Sequence, residues 1–161
     1  MALESRGAGI RTCAVDPDDP RAQWCLQAYV AELDQRFPDG FDPGRSISAS
    51  AHELRPPAGV MLVATLDEQP VGCGAVKFHV DGPSELRRMW VAPAARGIGL
   101  GRRLHAALEQ QAITSNPAVR LETNAALEEA IRLYRSSGYV EVPRFNDETY
   151  AHHWFEKRLT T

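Results

Sequence analysis

Apolar residues recur along the chain at two spacings, one typical of helices and one typical of strands. Between residues 22 and 37 they recur every three or four positions, which predicts an amphipathic helix that Pro38 ends. Further helical patterns follow the glycine-rich stretch 96–103 and Asn124, and a short helix is predicted at residues 50–55. Asn124 is expected as the N-cap of the last helix, and Gly138 is expected to end that helix in a left-handed conformation. Shorter apolar runs bounded by turn-forming residues predict strands at residues 10–15, 60–66, 71–80, 85–91, 119–123, 139–142 and 152–159.

The order of these elements, β-α-α-β-β-β-α-β-α-β-β, predicts the fold class. The consecutive strands between residues 60 and 91 are joined by short turns, so they should pair antiparallel. The two helices that follow connect strands as crossovers. We therefore expect an α+β fold with a single mixed, mostly antiparallel sheet of about seven strands and about four helices.

Composition narrows the class of protein. The 161 residues, 43% hydrophobic and 24% charged, predict one domain over residues 1–161, with residues 1–9 flexible. A formal net charge of -3 argues against nucleic-acid binding. The absence of an apolar stretch of ~20 residues and of a signal-peptide core predicts a cytoplasmic protein that binds no membrane. Its three cysteines and five histidines show no ligand spacing, so no metal is expected.

The stretch from Arg96 to Arg103 contains three alternating glycines between a predicted strand and a predicted helix. Glycine permits positive φ, and the first amides of a helix lack partners, so this turn suits an anion. A P-loop would need Lys and then Ser or Thr after the last glycine, whereas arginines follow Gly101. The spacing also fails the dinucleotide fingerprint. The alternative is a glycine-rich turn that carries exposed arginines.

Two segments resemble signatures of the GNAT superfamily of acetyl-CoA dependent N-acetyltransferases. Arg96-x-x-Gly99-x-Gly101, preceded by Met89-Trp90-Val91-Ala92-Pro93, resembles the acyl-coenzyme A loop of that family. The segment from Asn124 to Tyr139, with Ala130-Ile131, Leu133-Tyr134 and Gly138, resembles its second signature. The resemblance extends from about Thr12 to Leu159 and implies a GNAT-like fold.

The resemblance implies a set of residues that bind acetyl-CoA. Backbone amides of the loop and the side chains of Arg96 and Arg102 would hold the diphosphate, while Arg103 would face solvent. The strand before the loop would diverge from the strand at 119–123, so that its main chain binds pantetheine, although its side chains could equally be packing groups. The implied residues are Met89, Trp90, Val91, Arg96, Gly97, Ile98, Gly99, Gly101, Arg102, Asn124 and Tyr134.

The resemblance also implies catalytic residues. Tyr134 matches the family tyrosine that can protonate the departing thiolate, and the alternative role is a core aromatic. Glu85 is the leading candidate for the base, although it could instead be an ion-pair partner of Arg87. Strand alternation places Glu85, Arg87 and Met89 on one face and Leu86, Arg88 and Trp90 on the other. Glu122 is the reserve candidate, and an acceptor that enters neutral needs no base.

The expected activity is transfer of the acetyl group of acetyl-CoA to a primary amine of a small molecule or protein, by direct attack and without a metal. The alternative is a non-catalytic acyl-CoA sensor of the same fold. Residues 39–57, rich in turn-forming residues, are expected to shape the acceptor site. The acceptor remains open at this stage, and so does a homodimer.

Overall fold

The computed structural model describes residues 9–47 and 50–160. Within them the elements run in the order β1 (Ile10–Val15), α1 (Pro20–Arg36), β2 (Gly59–Leu66), β3 (Gln69–Lys77), β4 (Ser84–Val91), α2 (Leu100–Ala112), β5 (Ala118–Thr123), α3 (Glu128–Ser136), β6 (Val140–Glu141) and β7 (His153–Arg158). The predicted flexibility of residues 1–9 lies outside the described residues, except for Gly9. That glycine accepts a hydrogen bond of 3.3 Å from the amide of Asp67.

The strands form one seven-stranded sheet, as predicted, and their order in the sheet is β1-β2-β3-β4-β5-β7-β6. All neighbouring pairs are antiparallel except β4 and β5. The three helices of the described chain are one fewer than expected, because the predicted helix at 50–55 is a single 3-10 turn, His52–Leu54. Arg55 follows this turn and precedes Pro56, and the residue before a proline is disfavoured in α conformation, so the turn does not lengthen.

The parallel strands β4 and β5 separate soon after they begin. Their register contains only Ser84 opposite Val119 and Glu85 opposite Arg120. Beyond Glu85 the strands diverge, as the resemblance implies, and the main chain of β4 faces an opening instead of a neighbouring strand.

A β-bulge in β4 changes which face its side chains occupy. Cys73 pairs with Trp90 and Ala75 with Arg87, so two residues of β4 lie opposite Gly74 alone. Arg88, one of the two, has a positive φ of 55°. The predicted alternation is therefore wrong beyond Arg87: Met89 and Val91 pack on the same side as Leu86, whereas Trp90 packs on the opposite side.

Apolar side chains cover both faces of the sheet. The larger cluster lies under α2 and α3 and includes Leu104, Leu108 and Phe155, all fully buried. Burial of each such side chain contributes about 1.5–3 kcal/mol to the free energy of folding. The second cluster lies under α1 and contains Cys25, Cys73 and Trp90. No helix in the described parts of the chain is long and apolar enough to span a lipid bilayer.

The α3 helix begins later than its sequence pattern predicts. Asn124, expected as the N-cap, instead forms a turn: its Oδ1 accepts from the amide of Ala126 at 2.8 Å, and its carbonyl accepts from the amide of Leu127 at 3.0 Å. Leu127 occupies the N-cap position. The far end of α3 agrees with the prediction, because Gly138 follows it with a φ of 94°.

Candidate active site

The glycine-rich loop leads into α2 with its backbone amides exposed. Gly97 and Gly99 have φ values of 84° and 81°, and a Cβ atom at either would meet no heavy atom within 4 Å. Gly99 is the N-cap of α2, and the first helical hydrogen bond runs from the amide of Arg103 to its carbonyl at 3.1 Å. The preceding amides have no acceptor within the helix, and the helix dipole favours an anion beside them.

A cleft of about 890 Å³ opens in front of this loop, between α1, β4, α2 and α3. We call it the loop cleft. Five arginines and two glutamates line it, an excess of three positive charges in a chain whose net charge is -3. These residues are Arg36, Arg96, Arg102, Arg132, Arg135, Glu32 and Glu129. The charge and the exposed amides together suit a ligand with several negative charges.

The arginines of the loop cleft are held in place by neighbouring acceptors. Arg96 donates to the carbonyl of Val91 at 3.0 Å and to both carboxylate oxygens of Glu32 at 2.7 and 2.8 Å. Arg36 donates to Glu129 and thereby connects α1 with α3. Arg102 donates to the hydroxyl of Ser136 at 3.0 Å. Two charged contacts therefore join α1 to the loop and to α3.

A second cavity, of about 410 Å³, lies on the other side of Tyr134. We call it the aromatic cavity because Phe37, Phe41, Tyr150, Tyr29 and Tyr134 are among its lining residues. The residues common to the loop cleft and the aromatic cavity are Tyr29, Leu33, Met89, Leu127, Ala130 and Tyr134. The two spaces therefore meet at the divergence of β4 and β5.

Two segments far apart in the sequence cover the aromatic cavity. The amide of Asp42 donates to the Tyr150 hydroxyl at 2.9 Å, and Glu148 accepts from the hydroxyl of Ser46 and from the amide of Ile47. The rings of Phe41 and Tyr150 lie 4.8 Å apart. Residues 39–57 were expected at this site from the sequence. The segment around Tyr150 was not expected here, because nothing in the sequence pattern connects the two segments.

Tyr134 lies where the two spaces meet and is 8% exposed. Its ring packs against His105, Tyr139 and Phe155 with centroid distances of 5.6, 5.9 and 6.1 Å. Burial raises the pKa of Tyr134 well above its ordinary value, and the charges of Glu122 and Glu129 add to the rise. The hydroxyl therefore stays protonated at neutral pH. Tyr134 is thus a core aromatic that also lines both spaces, and its acid role stays a prediction.

A buried polar cluster lies behind Tyr134. Tyr139 donates to Glu109 at 2.8 Å, its oxygen lies 3.0 Å from Nε2 of His105, and Lys157 lies 3.1 Å from the same carboxylate. Burial alone raises the pKa of Glu109, but these hydrogen-bonding groups outweigh it and hold that pKa at about 2. The cluster anchors α2 to β7 and supports the tyrosine ring.

The two candidate carboxylates lie in different surroundings. Glu122 lines the aromatic cavity, and burial raises its pKa although Arg87, its ion-pair partner, acts in the opposite direction. Its Oε2 atom is buried and has no hydrogen-bond partner among the described residues. The Asn146 side chain lies close enough to oppose the rise in pKa, but its Nδ2 does not reach hydrogen-bond geometry either.

Glu85 lines neither space and forms ion pairs with Arg87 and, at 3.0 Å, with Arg120, while Nε2 of His79 lies 3.4 Å from its carboxylate. Burial alone raises the pKa of Glu85, but the two arginines outweigh it and lower that pKa. The ion pair with Arg87 that the sequence offered as an alternative is thus present.

The structure brings most of the predicted coenzyme residues to one place. The loop cleft is lined by Met89, Trp90, Val91, Arg96, Gly97, Gly99, Gly101, Arg102 and Tyr134. Ile98 packs against the core, Asn124 lines the aromatic cavity instead, and Arg103 is not among the lining residues of either space. Residues 9–47 and 50–160 contain no group of three or more His, Cys, Asp or Glu side chains placed to hold a metal ion.

Comparison with known proteins shows which protein family this chain resembles. The acetyltransferase (GNAT) domain family matches residues 57–141, which is more than half of the chain. A protein named IAA acetyltransferase from Azospirillum brasilense is 33% identical over 114 residues, covering 70% of this chain and 74% of that protein. An uncharacterized N-acetyltransferase from Schizosaccharomyces pombe is 38% identical over 120 residues, covering 71% of each chain.

Solved structures agree on the fold. A GNAT-family acetyltransferase from Staphylococcus aureus superposes with a TM-score of 0.77 at 15% identity, covering 94% of this chain and 99% of that one. The yncA protein of Salmonella typhimurium, solved with its cofactor acetyl-CoA, superposes with a TM-score of 0.67 at 16% identity, covering 94% and 95%. The chain belongs to the GNAT family of acetyltransferases.

Proposed function

We propose that this acetyltransferase transfers the acetyl group of acetyl-CoA to the primary amine of a small molecule by direct attack. The observation that carries the proposal is the meeting of two spaces at Tyr134, one cationic and glycine-lined, the other aromatic and covered. A volume of about 410 Å³ is in the usual range for a small-molecule site. The relative named IAA acetyltransferase supports acetyl transfer as the reaction class.

The loop cleft fits the coenzyme. Acetyl-CoA would supply an activated acetyl thioester and a strongly anionic diphosphate. The amides between Gly97 and Arg102 would hold the diphosphate, and the open space where a Cβ would otherwise lie lets the phosphate oxygens approach the backbone. Beyond Glu85 the main chain of β4 has no partner in β5, so the polar groups on that side that Arg96 does not bind would be available to the pantetheine amides and the thioester carbonyl.

We assign the base to Glu122, although the sequence favoured Glu85. Glu122 lines the aromatic cavity and has a raised pKa, whereas Glu85 is held by two arginines and lines neither space. A carboxylate with a raised pKa accepts a proton more readily near neutral pH. We assign the donation of a proton to the departing sulfur to Tyr134, whose phenol stays protonated.

The reaction balances with these two groups. The new C–N bond forms and the thioester C–S bond breaks. The acceptor ammonium gives up two protons, of which one ends on the coenzyme thiol by way of Tyr134 and the other reaches solvent by way of Glu122. No metal and no acyl-enzyme are required.

Two measurements test the proposal. Calorimetry with acetyl-CoA should show binding, and a thiol-release assay with a panel of amines should show acceptor-dependent production of free coenzyme. Binding without release for every amine would favour the non-catalytic sensor. Absence of binding by a folded protein would contradict both functions.

A further inference from the structure

The charged side chains on the walls of the aromatic cavity cancel one another. They are two cations and two anions, namely Arg87, Arg88, Glu122 and Glu148. The loop cleft differs, because its lining has three more positive than negative groups. A ligand that enters the aromatic cavity therefore meets walls without a formal net charge, and any further charge that it carries needs an individual partner there.

The charged groups that β4 and β5 contribute are already engaged within the protein. Arg87 lies between Glu85 and Glu122 and forms an ion pair with each of them. One carboxylate oxygen of Glu122 thus has a partner, and the other is buried. Arg88, with a φ of 55°, lies near Tyr29 on the α1 side and is engaged as well.

The fourth charged group, Glu148, holds the cover of the cavity in place and is only 8% exposed. One of its oxygens accepts from the hydroxyl of Ser46 and, at 3.1 Å, from the amide of Ile47. The other accepts from the amide of Tyr150 at 3.4 Å. Among the residues that the structure describes, each charged group of this lining therefore has a partner inside the protein.

The outer part of the cavity is apolar. Phe37, Phe41 and Tyr150 pack together with centroid distances between 4.8 and 5.8 Å. On the α1 side the wall is formed by Leu26 and Val30. These surfaces suit an aliphatic or aromatic group, which would be buried there without loss of hydrogen bonds to water.

These two properties of the cavity discriminate between amines. A carboxylate or a second ammonium group on the ligand would lose its water in the cavity without gaining a counter-ion, and burial of an unpaired ion is strongly unfavourable. An apolar group would instead gain affinity with each methylene that it buries. The reacting amine is a different case, because it loses its own charge during acetyl transfer.

We propose that the acceptor is an apolar primary amine, an arylalkylamine or alkylamine that has no second charged group. Its amine lies at the junction beside Tyr134, and its aromatic or aliphatic part lies against Phe37, Phe41 and Tyr150. This inference rests on the proposed acetyltransferase function and adds the acceptor class to it. The bond changes are those given above, and the product is an uncharged N-substituted acetamide.

The first test compares amines that differ by one charged group. Thiol release from acetyl-CoA is measured with phenethylamine against L-phenylalanine, and with pentylamine against cadaverine. We expect kcat/KM for the amine without the second charge to be higher by at least about 10²-fold in each pair, because burial of an unpaired ion costs several kilocalories per mole. L-Phenylalaninamide has nearly the size of L-phenylalanine but no carboxylate, so its kcat/KM should be closer to that of phenethylamine.

The second test varies the apolar part alone. From propylamine to hexylamine, kcat/KM should rise by about three- to fourfold for each added methylene. Phe41→Ala removes one ring from the wall and should reduce this rise. The matched control Phe145→Ala also removes a half-buried ring, but Phe145 packs under Arg120 and lines neither space, so the rise should be retained. Circular dichroism and calorimetry with acetyl-CoA report whether each variant is folded.

Several outcomes would overturn the inference and leave the acetyltransferase proposal in place. These are equal use of L-phenylalanine and phenethylamine, equal use of cadaverine and pentylamine, and a kcat/KM for L-phenylalaninamide as low as that for L-phenylalanine. The same holds for a kcat/KM that does not rise with chain length, or that rises as steeply in a folded Phe41→Ala variant as in the wild type. Binding of acetyl-CoA without turnover of any amine would overturn the acetyltransferase proposal, and the acceptor class with it.

Discussion

Replacing Tyr134 with phenylalanine removes the hydroxyl and keeps the ring, so it tests the role of the hydroxyl alone. The ring contacts with His105, Tyr139 and Phe155 are retained, so stability should change by less than about 1 kcal/mol. A positioned general acid contributes about 10²- to 10⁴-fold to the rate. We therefore expect Tyr134→Phe to lower kcat by at least about 10²-fold, equivalent to roughly 2.7 kcal/mol of transition-state stabilisation, with little change in affinity for acetyl-CoA.

The adjacent Tyr139 provides a matched control. Its hydroxyl donates to the buried carboxylate of Glu109 at 2.8 Å and lines neither the loop cleft nor the aromatic cavity. Loss of a hydrogen bond to a charged group costs about 1.5–3 kcal/mol. For a domain of this size, Tyr139→Phe should lower Tm by roughly 3–12 °C while kcat stays close to wild type.

The assay for both variants combines steady-state thiol release, calorimetry with acetyl-CoA and thermal unfolding by circular dichroism. The two tyrosines should show opposite patterns, with chemistry lost in one variant and stability in the other. If Tyr134→Phe kept the wild-type kcat, or lost coenzyme affinity as strongly as kcat, the acid role assigned to its hydroxyl would be refuted.

Three further perturbations test other parts of the site. Gly99→Ala places a Cβ on the open side of the loop, at a residue whose φ is 81°, so this variant should bind acetyl-CoA more weakly in calorimetry. The control Gly82→Ala also adds a Cβ in open space, but Gly82 has no positive φ, so that variant should bind acetyl-CoA normally. Glu122→Gln should lower kcat/KM by about 10²-fold. In the wild type kcat/KM should fall towards acidic pH, because the raised pKa of Glu122 leaves the base protonated at acidic pH, and this fall should be absent from the variant. A variant with the pH profile of the wild type would reject Glu122 as the base. The pKa of Glu109 falls from 4.5 to about 2 on folding, so its negative charge stabilises the fold above pH 4.5. This contribution is on the order of 3 kcal/mol, and it is lost as the pH falls towards 2. The Tm difference between wild type and Glu109→Gln should therefore shrink on acidification, and a constant difference would contradict the assignment.

Local patterns in the sequence were sufficient to predict the order of the elements and the position of the glycine-rich loop. The glycines at 97 and 99 adopt positive φ as predicted, since that conformation depends on the residue itself. Hydrophobic periodicity predicted every strand and the three long helices, because it reflects which face of each element is buried. The exceptions were the helix predicted at 50–55, which is only a single turn at His52–Leu54, and the late start of α3 after Asn124.

The arrangement of charges in the candidate site depends on strand register instead. The sequence places Glu85 and Glu122 on two strands but does not say which carboxylate reaches the cavity. That follows from where β4 and β5 stop pairing and from the two arginines that hold Glu85. The bulge opposite Gly74, which sends Arg88 towards α1, is likewise a property of the pairing between β3 and β4.

The sequence alone therefore determined the family resemblance, the glycine-rich loop and the choice of Tyr134 as a candidate, because these depend on residues near one another in the chain. Only the tertiary structure decided the walls of the aromatic cavity, where Asp42 and Phe41 meet Tyr150 from more than 100 positions away. Contacts at that separation form through packing of the whole domain and leave no periodic or spacing signal in either segment.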